Sequence, residues 1–214
     1  ITIYRVAEAS KVVNALLNAI RNGKMVTVVI ELQARFDEEA NIFWSNKLQE
    51  EGAQVINGIP GLKVHCKLAW IKREEKKGMR NYAYIGTGNF HEGTARVYAD
   101  KGLLTADPEI ANDVANMFEF FKHTYYHFNY SQIIISPFAM RNFFIHKIDQ
   151  EIANARKGKP AYMILKMNSL IDREMIDKLY EASGAGVKIQ LIIRGIFGLK
   201  TGDPELSKNI EAIS

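Results

Sequence analysis

A histidine and a lysine two residues apart give this sequence its clearest chemical signal. His65 and Lys67 lie in the segment GLKVHCKL, residues 61–68, which is predicted to be extended. Alternate side chains of a strand point to the same face, so we expect these two to lie together. A neutral imidazole can attack phosphorus, and a nearby ammonium can offset the charge of phosphoryl oxygens. The pair is therefore a candidate for phosphoryl transfer, although a structural histidine on a basic strand is the more common explanation of this spacing alone.

A glycine-rich segment follows a later predicted strand. In Gly86-Thr87-Gly88-Asn89 the glycines let backbone amides approach a phosphate, and the threonine and asparagine side chains add hydrogen bonds. The segment matches neither the Walker A loop nor the dinucleotide-binding loop, and an ordinary turn is the alternative. Its position after the histidine–lysine pair is more specific than either motif alone. Asn89 is therefore a candidate phosphate-binding residue.

Three arginines follow predicted strands, namely Arg5, Arg35 and Arg194. In open α/β sheets, ligands bind at the carboxyl ends of the strands. The planar guanidinium group suits bidentate contact with phosphate. We therefore interpret these arginines as candidate phosphate contacts, and a surface ion pair is the alternative for each.

An alternation of strands and helices is predicted to position these residues. The β-branched run at 25–32 is typical of a strand buried on both faces, and Ser10 can cap a helix that ends at Asn22-Gly23. Residues 72–80 are predicted to connect the two strands of a hairpin. The other predicted strands are 1–6, 54–57, 63–72, 81–87, 133–136, 162–167 and 187–194, and the other predicted helices are 37–51, 108–121, 140–156 and 172–183.

The strand–helix–strand pattern at the start of the chain recurs near its end, over residues 162–195. We interpret this repeat as two similar α/β domains, 1–131 and 132–214, although any two strand–helix–strand units look alike. The chain begins with Ile1 inside a predicted strand, so we expect it to come from a longer protein.

Composition narrows the class of protein. Of the 214 residues, 47% are apolar and 24% are charged, and the net charge is +4, which fits a globular protein rather than a disordered chain or a coiled coil. The single cysteine excludes a disulfide scaffold and a cysteine-based metal site within one chain. No apolar run is long enough for a transmembrane helix.

Several long blocks resemble bacterial polyphosphate kinase of the first type, whose fold is similar to that of phospholipase D. The blocks are residues 3–7, 29–41, 60–67, 85–98, 103–107 and 191–195. The resemblance implies two phospholipase D-like α/β domains, with mixed sheets flanked by helices and the second domain truncated. It also implies a kinase, a transferase that moves the γ-phosphate of ATP reversibly to inorganic polyphosphate through a phosphohistidine.

Individual residues match the functional positions of that family. By resemblance, His65 is the phosphohistidine nucleophile, and Lys67 is the basic partner that stabilises phosphoryl charge. Tyr98 and Arg194 match nucleotide-contacting positions, beside the candidate Asn89. The resemblance implies a Mg²⁺ cofactor at a magnesium–phosphate site that includes Arg5 and Arg35. We interpret these two as phosphate contacts, because a guanidinium group has no lone pair for a metal.

The resemblance also implies partners, location and a second essential histidine. The partners are ATP or ADP and polyphosphate, with a homo-oligomer in the full-length protein and no nucleic acid. The location is the bacterial cytoplasm, with peripheral association with the inner membrane left open. The repeat places the second histidine about 39 residues after Val187, beyond residue 214, so we expect the chain to be inactive alone.

Two other functions stay open. The first is a phospholipase D-like phosphodiesterase or nuclease, which would have an aspartate where this sequence has Lys72, and a second histidine–lysine pair that this sequence lacks. The second is a module that binds polyphosphate without chemistry.

Overall fold

The computed structural model describes residues 1–7, 9–34 and 37–213. The chain divides into two compact units, Ile1–Ile133 and Ile134–Ser214. The domains 1–131 and 132–214 stay a prediction.

The first unit begins with a parallel sheet. Its strands, in spatial order, are β1 (Thr2–Ile3), β2 (Thr27–Ile30) and β3 (Gln54–Asn57). They are connected by α1 (Lys11–Arg21) and α2 (Glu38–Glu50). The last three residues of β2 are fully buried, as its β-branched sequence predicts. The strand predicted over residues 1–6 is shorter than expected, with only two residues in the ladder.

The boundaries of α1 agree with the predicted start and stop signals. The Ser10 hydroxyl accepts a hydrogen bond from the Val13 amide at 3.3 Å, which satisfies one of the free donors at the helix start. After the helix, Gly23 adopts a φ of 71°, which glycine reaches without the steric cost of a side chain. These local interactions fix the length of α1 independently of the sheet.

The second sheet of this unit is antiparallel. It consists of β4 (Lys67–Glu75), β5 (Gly78–Gly86) and β6 (Gly102–Thr105). The short helix α3 (Glu92–Ala95) lies between β5 and β6, and α4 (Pro108–Lys122) packs against β4 and β5. The prediction that residues 72–80 connect the strands is wrong, because the strands extend to a tight turn at residues 76–77. Charged residues can occupy a hairpin whose faces are exposed, since the ladder still pairs the backbone.

The second unit contains another parallel sheet. In spatial order, the strands are β7 (Tyr162–Met167), β8 (Lys188–Ile193) and β9 (Ile210–Ile213). The helices α5 (Met140–Arg156) and α6 (Arg173–Gly184) pack against each other. The core of the unit is built from fully buried aliphatic side chains, among them Leu179, Val187, Ile189 and Leu191.

The predicted strand at residues 133–136 is wrong. The carboxylate of Asp113 accepts hydrogen bonds from the backbone amides of Ser131, Gln132 and Ile133, and Pro137 has no amide hydrogen to donate. This segment therefore satisfies its backbone through a side chain instead of a ladder.

The predicted α/β fold class is confirmed. Among the described residues, parallel and antiparallel strands lie in separate three-stranded sheets, so the mixed sheets expected from the resemblance are not observed. No helix in the described ranges combines the length and the apolar character that crossing a membrane requires.

Candidate functional site

His65 and Lys67 lie in contact at the start of β4. Lys67 is the first residue of the strand, whereas His65 lies just before it, in residues without regular secondary structure, and not in the strand as predicted. The Lys67 amine lies 3.2 Å from Nδ1 and 3.2 Å from Nε2 of His65, and it donates a hydrogen bond to the His65 carbonyl oxygen. His65 is exposed, whereas Lys67 is buried. An accessible imidazole thus has a sheltered amine beside it.

The ring of Tyr4 packs against both residues. It meets the imidazole of His65 edge to face, with 4.5 Å between ring centroids and 73° between planes. Three cations surround the same ring. The Lys67 and Lys63 amines lie 5.2 Å and 5.7 Å from its centroid, and the Arg5 guanidinium carbon lies 5.9 Å away. These distances lie within the range of cation–π attraction.

This environment shifts both pKa values downward. Partial burial of the imidazole, followed by the charges of the three surrounding cations, lowers the pKa of His65. Burial lowers the pKa of the Lys67 ammonium from 10.5 to about 8, although the nearby Asp100 carboxylate acts in the opposite direction. Near neutral pH, the histidine is therefore mostly neutral and the lysine mostly charged.

Thr2 fixes the segment that carries the histidine and lysine to β1. Its buried hydroxyl donates a hydrogen bond to the carbonyl oxygen of Cys66 at 2.7 Å and accepts one from the amide of Leu68 at 2.9 Å. The two bonded residues flank Lys67, so these hydrogen bonds fix the position of its backbone relative to the parallel sheet.

Glu31 and Asn41 form a second set of buried supports. Glu31 is only 5% exposed, and its carboxylate accepts hydrogen bonds from the amides of Val64 and Gln33, both at 3.0 Å. The side-chain amide of Asn41 donates to the carbonyl oxygens of Tyr4 and Glu31, at 2.9 Å and 2.8 Å. The residues before His65 and the residue carrying the aromatic ring are thus tied to one buried network.

The glycine-rich segment lies next to the histidine–lysine pair. Across the β4–β5 ladder, Lys67 pairs with Gly86, the last residue of β5. In the following loop, the Thr87 hydroxyl donates to Asp100 at 2.9 Å. A Cβ atom on Gly88 would lie only 2.2 Å from an Asp100 carboxylate oxygen, so this close packing requires glycine. The structure therefore brings the two sequence motifs to one end of the hairpin.

Asn89 and Tyr98 lie in the connection between β5 and β6. The side-chain oxygen of Asn89 is buried, and no described group donates a hydrogen bond to it. Tyr98 lies in the turn after α3 and is 51% exposed. An exposed aromatic ring is suited to stacking on a nucleobase.

The candidate arginines have different surroundings. Arg5 lies near the Tyr4 ring and forms an ion pair with Asp37 at 3.1 Å, and Arg35 lies outside the described residues. Arg194 belongs to the second unit, where it follows β8. Its Nε donates to the side-chain oxygen of Asn168 at 2.7 Å.

The residues around His65 do not fit a metal held by the protein. In the described ranges, no group of three or more histidine, cysteine, aspartate or glutamate side chains could hold a metal ion. Asp37 is paired with Arg5, Asp100 accepts from Thr87, and guanidinium groups offer no lone pair. The hydrogen-bond donors and cations around His65 fit the oxygens of a phosphate.

Comparison with known families identifies the chain. Residues 1–127 match the model described as "Polyphosphate kinase C-terminal domain 1", and residues 133–214 match "Polyphosphate kinase C-terminal domain 2". The chain belongs to the polyphosphate kinase family.

Polyphosphate kinases from several bacteria are similar over the whole chain. The enzyme of Vibrio vulnificus strain YJ016 is 51% identical and that of Escherichia coli K12 is 47% identical, each over all 214 residues. The structure of polyphosphate kinase from Porphyromonas gingivalis superposes with a TM-score of 0.86 at 41% identity, over 99% of this chain and 35% of that one. The chain spans 31% of each of the two curated relatives.

Sequence reasoning missed the residues that support the polyphosphate kinase motifs. They are Thr2, Tyr4, Glu31, Asn41 and Asp100. Two of them carried a signal, because Glu31 is a carboxylate directly after a buried strand and Tyr4 precedes a candidate phosphate-binding arginine. The other three depend on contacts between distant segments, which spacing does not reveal.

Proposed function

We propose that this chain forms the part of a polyphosphate kinase in which His65 receives the γ-phosphoryl group of ATP and passes it to inorganic polyphosphate. The observation that carries the proposal is the contact of the Lys67 amine with the ring of an exposed histidine, at 3.2 Å from both nitrogens. A charged amine at this distance disfavours the imidazolium form, and the neutral form is the nucleophile.

The proposed reaction has two displacements at phosphorus. In the first, the lone pair of one imidazole nitrogen forms a nitrogen–phosphorus bond. The bond from the γ-phosphorus to the bridging oxygen breaks, and ADP leaves with that electron pair. In the second, a terminal oxygen of polyphosphate attacks the same phosphorus and the nitrogen–phosphorus bond breaks. The other imidazole nitrogen keeps its proton, so the histidine returns to its original state.

The surrounding residues stabilise charge and hold the substrate in this proposal. The Lys67 ammonium and the Arg5 guanidinium offset the charge of the phosphoryl oxygens, and Arg35 would act with them by resemblance. Asn89 contacts phosphate and Tyr98 contacts the nucleotide, with Arg194 as a further nucleotide contact. Mg²⁺ enters as part of the ATP complex and supplies charge neutralisation of the phosphates when bound.

The residue at position 72 argues against the phosphodiesterase alternative. Lys72 stands in β4 with an exposed side chain, at the position where phospholipase D-like phosphodiesterases have an aspartate. A binding module without chemistry would need the cations but not the imidazole. Replacing the imidazole therefore separates these functions.

A chimera tests the proposal, since the chain spans only 31% of its Vibrio vulnificus relative. The matching segment of that enzyme is replaced by these 214 residues, and polyphosphate synthesis from Mg²⁺ and ATP is measured. We expect activity in the chimera and a loss of at least about a thousandfold after His65→Asn. With γ-labelled ATP, acid-labile phosphate is expected on His65.

The matched control is His146→Asn, at an exposed histidine of α5. It should leave synthesis and labelling unchanged. Polyphosphate synthesis that survives His65→Asn would overturn the proposed role of His65. If the chimera with His65 intact folds and binds polyphosphate but neither synthesises it nor becomes labelled, the binding module is favoured.

A further inference from the structure

We propose that Tyr4 is a positioning residue, whose ring fixes the plane of the His65 imidazole and gathers lysines beside it. This role rests on the proposed phosphoryl transfer at His65, because a positioning residue acts through the group that it holds. In the sequence, only the position of Tyr4 directly before Arg5 draws attention to it. In the structure, its ring contacts four functional groups.

The first observation is the edge-to-face contact between Tyr4 and His65. The ring centroids are 4.5 Å apart and the planes cross at 73°, which is a favoured arrangement of two aromatic rings. Rotation of the imidazole about its bond to Cβ would lose this contact. A nucleophilic nitrogen needs a fixed direction, because in-line attack depends on the angle as well as on the distance.

The second observation is that Tyr4 is itself held in place. Its carbonyl oxygen accepts a hydrogen bond from the fully buried side chain of Asn41 at 2.9 Å. Two residues earlier, Thr2 is bonded to Cys66 and Leu68. Asn41 also donates to the carbonyl oxygen of Glu31, whose carboxylate accepts a hydrogen bond from the amide of Val64. The segments carrying the two rings are therefore joined both before and after His65, which fixes the backbone that carries the Tyr4 ring.

The third observation concerns charge. The amines of Lys63 and Lys67 lie within 6 Å of the Tyr4 ring centroid, at 5.7 Å and 5.2 Å. Across the described part of the chain, neither amine forms an ion pair with a carboxylate. A neutral ring attracts cations without cancelling their charge. Holding lysines on tyrosine rather than on aspartate keeps positive charge available for phosphoryl oxygens.

Nuclear magnetic resonance on the 214-residue chain tests the contact directly. At the observed centroid distance, we expect nuclear Overhauser effects between the Tyr4 ring protons and the carbon-bound ring protons of His65. Ring-current shifts of these His65 protons should persist in Tyr4→Phe and disappear in Tyr4→Leu. His146 on α5 serves as the internal control, whose signals should not move. Absence of the Overhauser effect in the unsubstituted chain overturns the proposal, even if every variant fails to fold.

Kinetics in the chimera test the consequence. Tyr4→Leu should lower kcat by about tenfold to a hundredfold with little change in the KM for ATP, because orientation is lost while the substrate-binding groups remain. Tyr4→Phe should restore kcat to within about twofold, since the ring and not the hydroxyl makes the contact. If Tyr4→Leu is unfolded by circular dichroism, Tyr4→Met replaces it as an unbranched side chain without a ring.

The outcomes distinguish this inference from the proposed function. A folded Tyr4→Leu or Tyr4→Met chimera with unchanged kcat overturns the positioning role while His65→Asn still tests the chemistry. Loss of kcat to the same degree in Tyr4→Phe would also overturn it, because the hydroxyl would then be the essential group. Activity that survives His65→Asn would end the proposed function, and the kinetic role of Tyr4 with it.

Discussion

The buried amine of Lys67 lies 3.2 Å from each ring nitrogen of the exposed His65. The charge states of these two residues therefore depend on each other. The charged amine repels a proton from the imidazole, and burial makes the amine easier to deprotonate than a lysine in water. The proposed phosphoryl transfer needs His65 neutral and Lys67 charged, so the two pKa values define a range of pH in which both conditions hold.

The rate of His65 phosphorylation should follow a bell-shaped pH profile. The pKa of His65 is lowered from 6.5, so its nucleophilic form persists below that pH and is lost only as the pH falls through the lowered value. The pKa of Lys67 is about 8, so its charge is lost as the pH rises through that value. Single-turnover labelling of the chimera across this range measures both limbs.

Lys67→Arg separates the alkaline limb from other effects. A guanidinium group stays charged well above pH 8, so the fall in rate on the alkaline side should move upward or disappear. Its bulk should also reduce the maximal rate. An alkaline limb that stays near pH 8 in this variant would show that another group is responsible.

Glu31→Gln should loosen the segment that carries His65. The Glu31 carboxylate accepts hydrogen bonds from the amides of Val64 and Gln33. A glutamine has only one acceptor oxygen, so its side-chain NH₂ group, which is a donor, would face one of these two backbone donors. We expect the free energy of unfolding to fall by about 1–3 kcal/mol. Hydrogen exchange at the Val64 amide should become faster, which can be measured residue by residue.

Glu50→Gln is the matched control for this change. Glu50 is exposed at the end of α2, so its substitution should alter stability by no more than about 0.5 kcal/mol. Equal exchange at Val64 in the parent chain and in Glu31→Gln would show that Glu31 does not hold this segment.

Asp113→Ala should destabilise the end of the first unit. Asp113 is only 4% exposed, and its carboxylate accepts hydrogen bonds from three consecutive backbone amides, at residues 131–133. Removing it leaves these donors without their acceptor, so we expect a loss of about 2 kcal/mol in the free energy of unfolding. The control is Asp177→Asn on the exposed face of α6, which should be nearly neutral. Unchanged stability in Asp113→Ala would mean that water replaces the carboxylate.

The same carboxylate shows where sequence patterns stop being informative. Residues 133–135 are three consecutive isoleucines, which predicts a strand from composition. The hydrogen-bonding partner of this segment is a side chain about 20 residues earlier, on α4. In contrast, β3, α5 and β7 have the predicted boundaries, because Gly58, Gly158 and Pro160 interrupt the chain next to these elements and are local signals.

The candidate site divides in a similar way. The contact of His65 with Lys67 was predicted from their spacing of two residues, although His65 lies just before β4 and not in the strand. The glycine-rich segment lies close to the histidine–lysine pair because the strand register pairs Lys67 with Gly86. The order of the two motifs along the chain suggested this closeness. The Tyr4 ring reaches His65 across about 60 residues of sequence, through a sheet packing that no local pattern encodes.

Gly88→Ala should shift the alkaline limb of activity to lower pH. The added Cβ would lie 2.2 Å from an Asp100 oxygen, so the carboxylate must move. Asp100 raises the pKa of Lys67, and displacing it should bring that pKa below about 8. Asp100→Asn removes the same charge without the added methyl group, so it should shift the limb in the same direction. Gly184→Ala, where a Cβ meets nothing within 4 Å, is the control. An unshifted limb in both Gly88→Ala and Asp100→Asn would show that Asp100 does not set the charge of Lys67.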